Sequence, residues 1–414
     1  MAPKLEVGLG GSVNGSLYQS VRVKGRVVYV TREAVNHLSE VEAVIFDCDG
    51  VLIDTRKSYN TTIIRTACFI LSRLVGFSLP QRVITPSIIH TLRCSGGFNN
   101  DWDSTYVILL YLFSCLPKRF LERFRQVHRE FIEGGGSALE WQTQFGQLSH
   151  QLRGYVERRR IQEAAERIHY GLSQFVGPAD SSGTPALEKI LFAKQQPVWK
   201  MEGLRSFKTF LGYPDNSAHS LLATVFDEIF YGPALFEQAH RRRPQFYLGA
   251  GAIENETPIV TRTTLKRLAD MIGRRHLGIA SGRGTLAIEH TLGRWLDYFN
   301  PKARVLLEDE ELRARGDIEA LRTERAKPAP YALLKSARAM KTFKRALYVG
   351  DSAEDLIMTG RANAVDPRYL FAGVTDYGYD PRRKREMFAE AAVDLILPSV
   401  NQLPDVLRIS QAKG

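Results

Sequence analysis

The chain has 414 residues, more than one hydrophobic core usually supports, and its 44% hydrophobic and 24% charged composition is ordinary for a water-soluble protein of two globular units. A formal net charge of +11 asks for an anionic partner, with nucleic acid, a membrane surface and phosphorylated metabolites as candidates among which charge alone does not choose. The four cysteines, Cys48, Cys68, Cys94 and Cys115, show no C-x-x-C pair or interleaved histidines, which excludes a zinc-ribbon type of site and reads as reduced thiols in a cytoplasmic protein.

The opening MAPKLEVGLGGSVNGSL lacks the basic start and apolar core of a secretion signal, so export is not expected. Residues 1–40 form an N-terminal extension in which Val21, Val23 and Val27 to Val30 flank a Lys24-Gly25 turn signal, the pattern of a short β-hairpin. AVIFDCDGVLID, residues 43–54, then opens as a short apolar run ending in acidic residues and glycine. That is how a buried parallel strand delivers polar groups at its carboxyl end. From 55 to 261 the period changes to that of helices, as in YNTTIIRTACFILSRLV, and this stretch is expected to be a large, mostly α-helical insertion. Its greasiest segment, YVILLYLFSCL, is too short for the roughly 20 residues that cross a bilayer and reads as a buried helix. GPADSSGTP, residues 177–185, reads as a flexible surface loop.

Short apolar runs then return: LGIAS from Leu277, RVLLED from Arg304, RALYVGD from Arg345 and YLFAGV from Tyr369, with DLIL from Asp394 as one further candidate. Strands alternating with helical segments predict an α/β class, with a doubly wound parallel sheet over 41–54 and 262–414 and the helical insertion at 55–261 as a second domain.

Four signals fall at the ends of these strands. In Asp47-Cys48-Asp49-Gly50 the alternation of strand side chains lets Asp47 and Asp49 face one site while Cys48 points away, and Gly50 allows a sharp turn. A calcium loop is the competing reading, but an EF-hand places its glycine at the sixth position after a helix. Ser281-Gly282-Arg283 offers a hydroxyl and backbone N–H groups for phosphate oxygens, or a helix cap. Lys327-Pro328-Ala329-Pro330 holds a lysine beside a rigid turn, with Pro330 suited to a first helical position. In Gly350-Asp351-Ser352-Ala353-Glu354-Asp355, Asp351 and Asp355 lie one helical turn apart and can face one cation, of the hard, oxygen-seeking kind such as Mg²⁺.

In this order DCDGVLID, SGR, KPAP and GDSAED resemble motifs one to four of the haloacid dehalogenase (HAD) superfamily, over residues 41–54 and 262–400. The resemblance implies an HAD-type Rossmann-like core and an Mg²⁺-dependent phosphatase acting on a small phosphorylated metabolite through a phospho-aspartate. By it Asp47 is the nucleophile, Asp49 the general acid and base, Ser281 the holder of phosphoryl oxygens with Gly282 and Arg283 beside it, and Lys327 the neutralising charge. Asp351 with Asp47 and the Asp49 carbonyl would bind Mg²⁺, with Asp355 in support directly or through water. The physics agrees with these roles, since a phosphoryl group in transfer spreads negative charge that a cation, a lysine and aligned donors stabilise. Asp49 disfavours a dehalogenase, which has no use for an acid two residues after its nucleophile.

An insertion between motifs one and two is the place of the helical cap in the branch that includes phosphoglycolate phosphatases and β-phosphoglucomutases. Within it CSGGFNNDWDSTYVILLYL, from Cys94, resembles a segment of a sparsely characterised group of HAD hydrolases, and QFYLGAGAIENETPIV, from Gln245, resembles that group's return to the core. Asn99, Asn100 and Trp102 can read the leaving group of the substrate, belong to a well-capped buried helix, or do both. The basic runs RGYVERRRIQ and HRRRP lack aromatic interleaving and read as solvated helix faces, so no nucleic-acid partner is expected. The alternatives to a phosphatase are a phosphomutase, whose core would look the same, and a nucleic-acid-binding protein on a phosphatase-like core.

Overall fold

A computed structural model describes residues 17–98, 100–134, 141–216, 218–313 and 324–411. The chain divides into two compact units, residues 1–56 together with 255–414, and residues 57–254.

The first unit is built on an eight-stranded sheet. Its strands are β1 (Tyr18–Val23), β2 (Arg26–Thr31), β3 (Val41–Phe46), β6 (Leu277–Ser281), β7 (Arg304–Leu306), β8 (Arg345–Gly350), β9 (Tyr369–Val374) and β10 (Leu395–Leu397), in the spatial order β1-β2-β10-β9-β8-β3-β6-β7. From β10 to β7 every neighbouring pair is parallel. The N-terminal pair β1–β2 is a hairpin that adds its second strand antiparallel to β10 and completes that edge. Lys24 and Gly25 both take positive φ in its turn, at 48° and 77°, as a tight two-residue hairpin requires.

The strands are nearly all apolar because helices cover both faces of the sheet. Side chains alternate between the two resulting cores. Val44 and Phe46 of β3 pack with Leu347 and Val349 of β8 on one face, while Ala43 and Ile45 pack with Ala346 and Tyr348 on the other. The run RVLLED is strand for three residues only. A helix starts at Leu307, with Glu308, Asp309 and Glu310 in its first turn, where the helix dipole favours acids.

Strand order reverses beside β3, which has β6 on one side and β8 on the other. A doubly wound sheet opens its crevice at the carboxyl ends of such strands. After β3 the chain turns tightly, with the N–H groups of Leu52 and Ile53 donating to the Cys48 carbonyl. It then forms a two-residue strand β4 (Ile53–Asp54), paired antiparallel with β5 (Thr257–Pro258).

The second unit is helical. Its helices span Tyr59–Val75, Pro86–Cys94, Asp101–Ser114, Lys118–Glu133, Trp141–Leu152, Arg158–Val176, Thr184–Leu191, Val198–Leu211 and Leu221–His240. Asp101–Ser114 carries the greasy segment and is buried from Ser104 to Leu110. Phe113 stacks on Phe207 at a centroid distance of 3.9 Å, and Phe124 meets both edge-on. Residues 177–183, expected to be part of a flexible surface loop, are mostly exposed but touch the Gly96-Gly97 turn through Asp180 and Gly183. A Cβ on Gly97 would lie 2.4 Å from the carbonyl oxygen of Asp180, so the Gly96-Gly97 turn exists to let two backbones touch. Among the described residues no helix is long and apolar enough to cross a membrane.

Candidate active site

The ends of β3, β6 and β8 bring the motif residues together. The N–H of Asp47 continues the ladder to the carbonyl of Val349 at 2.9 Å, which fixes the backbone where the side chain leaves the strand. Cys48 points into the apolar core and is fully buried, as strand alternation requires. Gly50 sits at φ 71°, and a Cβ there would lie 2.2 Å from Oδ2 of Asp351. A glycine is therefore what allows the loop after β3 to approach the loop after β8.

Lys327 lies at the centre. Its Nζ is 2.8 Å from Oδ1 of Asp47 and 2.7 Å from Oδ1 of Asp355, and all three side chains are buried. Burial, helped by the charges of Asp355, Asp49 and Asp351, pushes the Asp47 carboxyl up to about 7 against the pull of Lys327. Burial acts the same way on Asp355, but Lys327 and several hydrogen-bond donors outweigh it and leave that carboxyl below its usual range. Lys327 is held well above the usual lysine range by Asp355 and Asp47, which outweigh the effect of burial. One ammonium shared by two carboxylates leaves Asp47 with only part of a counter-charge.

Asp355 is otherwise saturated. Oδ2 accepts the N–H groups of Asp351 and Ser352 and the Ser352 hydroxyl, and Oδ1 accepts the Tyr348 hydroxyl at 2.9 Å. A carboxylate so fully engaged has little left for a cation, so its part is to lock Lys327 and the start of helix Ala353–Val365. Asp355 was expected to support a cation directly or through water, and its place beside Asp47 and Asp351 stays compatible with that.

Asp47, Asp351 and Asp355 each offer an oxygen within 4.8 Å of one another, an arrangement compatible with a metal ion. The donors are all hard oxygen, and around them Asp47, Asp49, Asp351 and Asp355 outnumber the neighbouring cations Lys327, Lys384 and Arg283. Both features suit a divalent ion such as Mg²⁺. Lys384, from helix Pro381–Glu390, reaches Oδ2 of Asp351 at 2.7 Å. Nothing in the run Arg382-Arg383-Lys384-Arg385 singled it out.

Of the Ser281-Gly282-Arg283 group, Ser281 closes β6 with Ile279 opposite Phe46, so it ends its strand beside Asp47. Gly282 is exposed at the turn, while Arg283, expected beside the substrate, is buried next to it. Its side chain has no exposed surface; it bonds Glu256 at 2.5 Å and lies 3.5 Å from Asp49. Glu256 carried no sequence signal beyond the segment returning from the insertion. Pro330 precedes helix Tyr331–Ala339 instead of opening it.

In the helical unit, Asn100 is the N-cap of helix Asp101–Ser114, its side chain accepting the N–H of Trp102 at 2.9 Å. The Trp102 indole N–H donates to Asp227 at 3.2 Å, and His240 approaches the other oxygen of Asp227 at 3.3 Å. These contacts are those of a capped, half-buried helix. Asn99 lies outside the described residues. The run from His240 to Pro244 is partly internal, with His240 buried and Arg242 donating to the Thr224 hydroxyl at 3.1 Å. Arg159 and Arg160 form exposed pairs with Glu163 and Glu157.

No family profile and no curated protein matches this sequence. Among solved structures, an X-ray structure of the Northeast Structural Genomics Consortium target ZR25 is similar over 89% of this chain and 98% of its own, with a TM-score of 0.56 and 17% identity. Phosphatase Tt82 from Thermococcus thioreducens aligns over 84% of this chain and 98% of its own, at a TM-score of 0.43 and 19% identity. The fold shared with the first of these is a mostly parallel α/β sheet, here with a large helical insertion between β4 and β5.

Proposed function

We propose that the protein is an Mg²⁺-dependent phosphatase that hydrolyses a small phosphate monoester through a phospho-aspartate on Asp47. The observation that carries this reading is the buried trio Asp47–Lys327–Asp355 at the β3/β8 strand ends, with Asp351 alongside. Asp47 is the nucleophile. Its oxygen bonds phosphorus as the ester oxygen departs, and Lys327 balances charge on both the carboxylate and the phosphoryl oxygens. The hydroxyl of Ser281 and the turn at Gly282 hold those oxygens. Asp49 gives its proton to the departing oxygen and then takes one from the water that splits the acyl phosphate, returning Asp47 to its starting state. Asp47, Asp351 and the Asp49 carbonyl would hold Mg²⁺, which when bound supplies positive charge against the repulsion between carboxylate and phosphate.

The test is a screen of phosphorylated metabolites for release of inorganic phosphate, with and without Mg²⁺, on wild type and Asp47→Asn. Release that needs Mg²⁺ and falls to background in Asp47→Asn is expected. Release at the wild-type rate from Asp47→Asn, or in excess chelator with trace metal removed, would reject the reading.

A further inference from the structure

Two carboxylates in the loop after β3 have separate counter-ions. Asp47 faces Lys327, while Asp49 faces Arg283, whose Nε lies 3.5 Å from Oδ1 of Asp49. The Arg283 guanidinium is wholly enclosed and its far end is occupied by Glu256, itself without exposed surface. The second oxygen of Glu256 accepts the Thr291 hydroxyl at 3.0 Å. A chain of polar contacts thus runs from a half-buried Thr291, through the enclosed side chains of Glu256 and Arg283, to an Asp49 side chain 36% exposed at the mouth of the site.

Burying a charged pair costs more desolvation than its attraction usually returns, and an apolar pair of similar volume would pack as well or better. The pair is therefore poor material for stability alone. Its attachment points are those of the loop it meets. Asp49 bridges Ile53, Ile53 pairs with Pro258 across the β4–β5 ladder, and Glu256 stands just before β5. Backbone ladder and ion pairs together close a ring around Asp49.

We propose that Glu256 and Arg283 form an internal strut that fixes the carboxylate of Asp49 for its two proton transfers, so that both are positioning residues of the reaction. This rests on the phosphatase reading given above. Arg283 aims the Asp49 oxygen at the ester oxygen as the P–O bond breaks, and again at the incoming water. Glu256 and Thr291 hold Arg283 against being drawn towards the phosphoryl group.

The strut has a signature that a packing defect lacks. A nitrophenolate leaves without help from an acid, whereas an alkoxide needs the proton from Asp49. In the full-length protein with Mg²⁺, Arg283→Met is expected to slow the first step about 10²-fold on glycerol 3-phosphate, the loss typical of a reacting group misplaced by about 1 Å. The first step on 4-nitrophenyl phosphate, read as a nitrophenol burst in rapid mixing, should change less than threefold, with KM for both esters within a factor of about two. Glu256→Gln, which keeps an acceptor for Arg283, should lose less on the alkyl ester than Arg283→Met. If Arg283→Met does not fold, the double variant Arg283→Met/Glu256→Met removes both buried charges. It is expected to restore thermal stability while leaving the alkyl ester slow.

Equal losses on the two esters, no loss on either, or a rise in KM with kcat unchanged would overturn the strut, the last pointing to direct substrate contact by Arg283. Asp47→Asn runs in parallel. If it keeps turning over, the reading of the whole site falls and the strut with it. If it is silent while the Arg283 variants show no leaving-group split, the strut alone falls.

Discussion

Buried polar groups serve different ends in the two units. In the sheet unit they converge: Asp47, Lys327, Asp355, Ser281, Arg283 and Glu256 come from separate strand ends and loops and meet in one ionic cluster. In the helical unit, apart from the group of Trp102, Asp227, His240 and Arg242, they are spread out, tying one helix or loop to a neighbour. Glu188 takes the Tyr106 hydroxyl and the Lys208 ammonium, His128 meets Ser206, and Glu228 accepts three successive N–H groups from Gln245 to Tyr247. Dispersed polar contacts around an aromatic core serve packing, whereas converging charges that burial penalises mark chemistry.

That contrast can be broken by substitution. Lys327→Met leaves Asp47 and Asp355 without their shared cation, and it should lower stability by about 3–5 kcal/mol and also abolish phosphate release. Denaturant unfolding followed beside activity reads both; a stable, active variant would mean the cluster is neither catalytic nor ionic. Phe207→Ala should cost a similar 3–5 kcal/mol through the cavity left beside Phe113 and Phe124. Below its unfolding temperature it should keep kcat/KM on an aryl phosphate, and a loss of that constant would erase the distinction between the units.

Acid offers a gentler probe. Burial holds His128 and His240, both in the helical unit, near 4, with Arg242 adding to the effect on His240. The unfolded imidazole takes its proton below about 6.5 and the folded one only near 4, so each contributes stability that is complete above pH 6.5 and lost as pH falls towards 4. The slope is at most about 1.4 kcal/mol per pH unit for each histidine. His128→Gln should flatten the fall of Tm between pH 6.5 and 4, and an unchanged profile would count against this origin. Smallest of all, Asn100→Ala removes one cap and should cost about 1 kcal/mol with no change in substrate preference. A shift in preference among phosphate esters would show that Asn100 is a substrate contact as well as a cap.

Asp47, Ser281 and Asp351 were legible in the sequence because each is fixed locally, by an apolar run that must be a strand and a turn that must follow it. Strand alternation likewise sent Cys48 inwards. The burial of Arg283 was not legible, for the opposite reason: its direction is decided by Glu256, 27 residues earlier, which comes back from the insertion only when β5 pairs with β4. The saturation of Asp355 depends on Tyr348 and Lys327, and the reach of Lys384 depends on where helix Pro381–Glu390 docks. In the helical unit periodicity announced the helices. It could not show that Gly97 and residues 180–183 share a backbone contact, since no pattern within either segment refers to the other.

The ladder of β4 and β5 sets residues 54 and 257 face to face, and directly opposed residues in an antiparallel pair lie about 4.5–5.5 Å apart. To the sheet, everything between them is a hairpin loop, however long. A lineage carrying this fold is therefore free to lengthen, trim or exchange the inserted helices without moving Asp47 or Asp49 against Lys327, because the doorway through which the insertion leaves and re-enters is one residue pair wide.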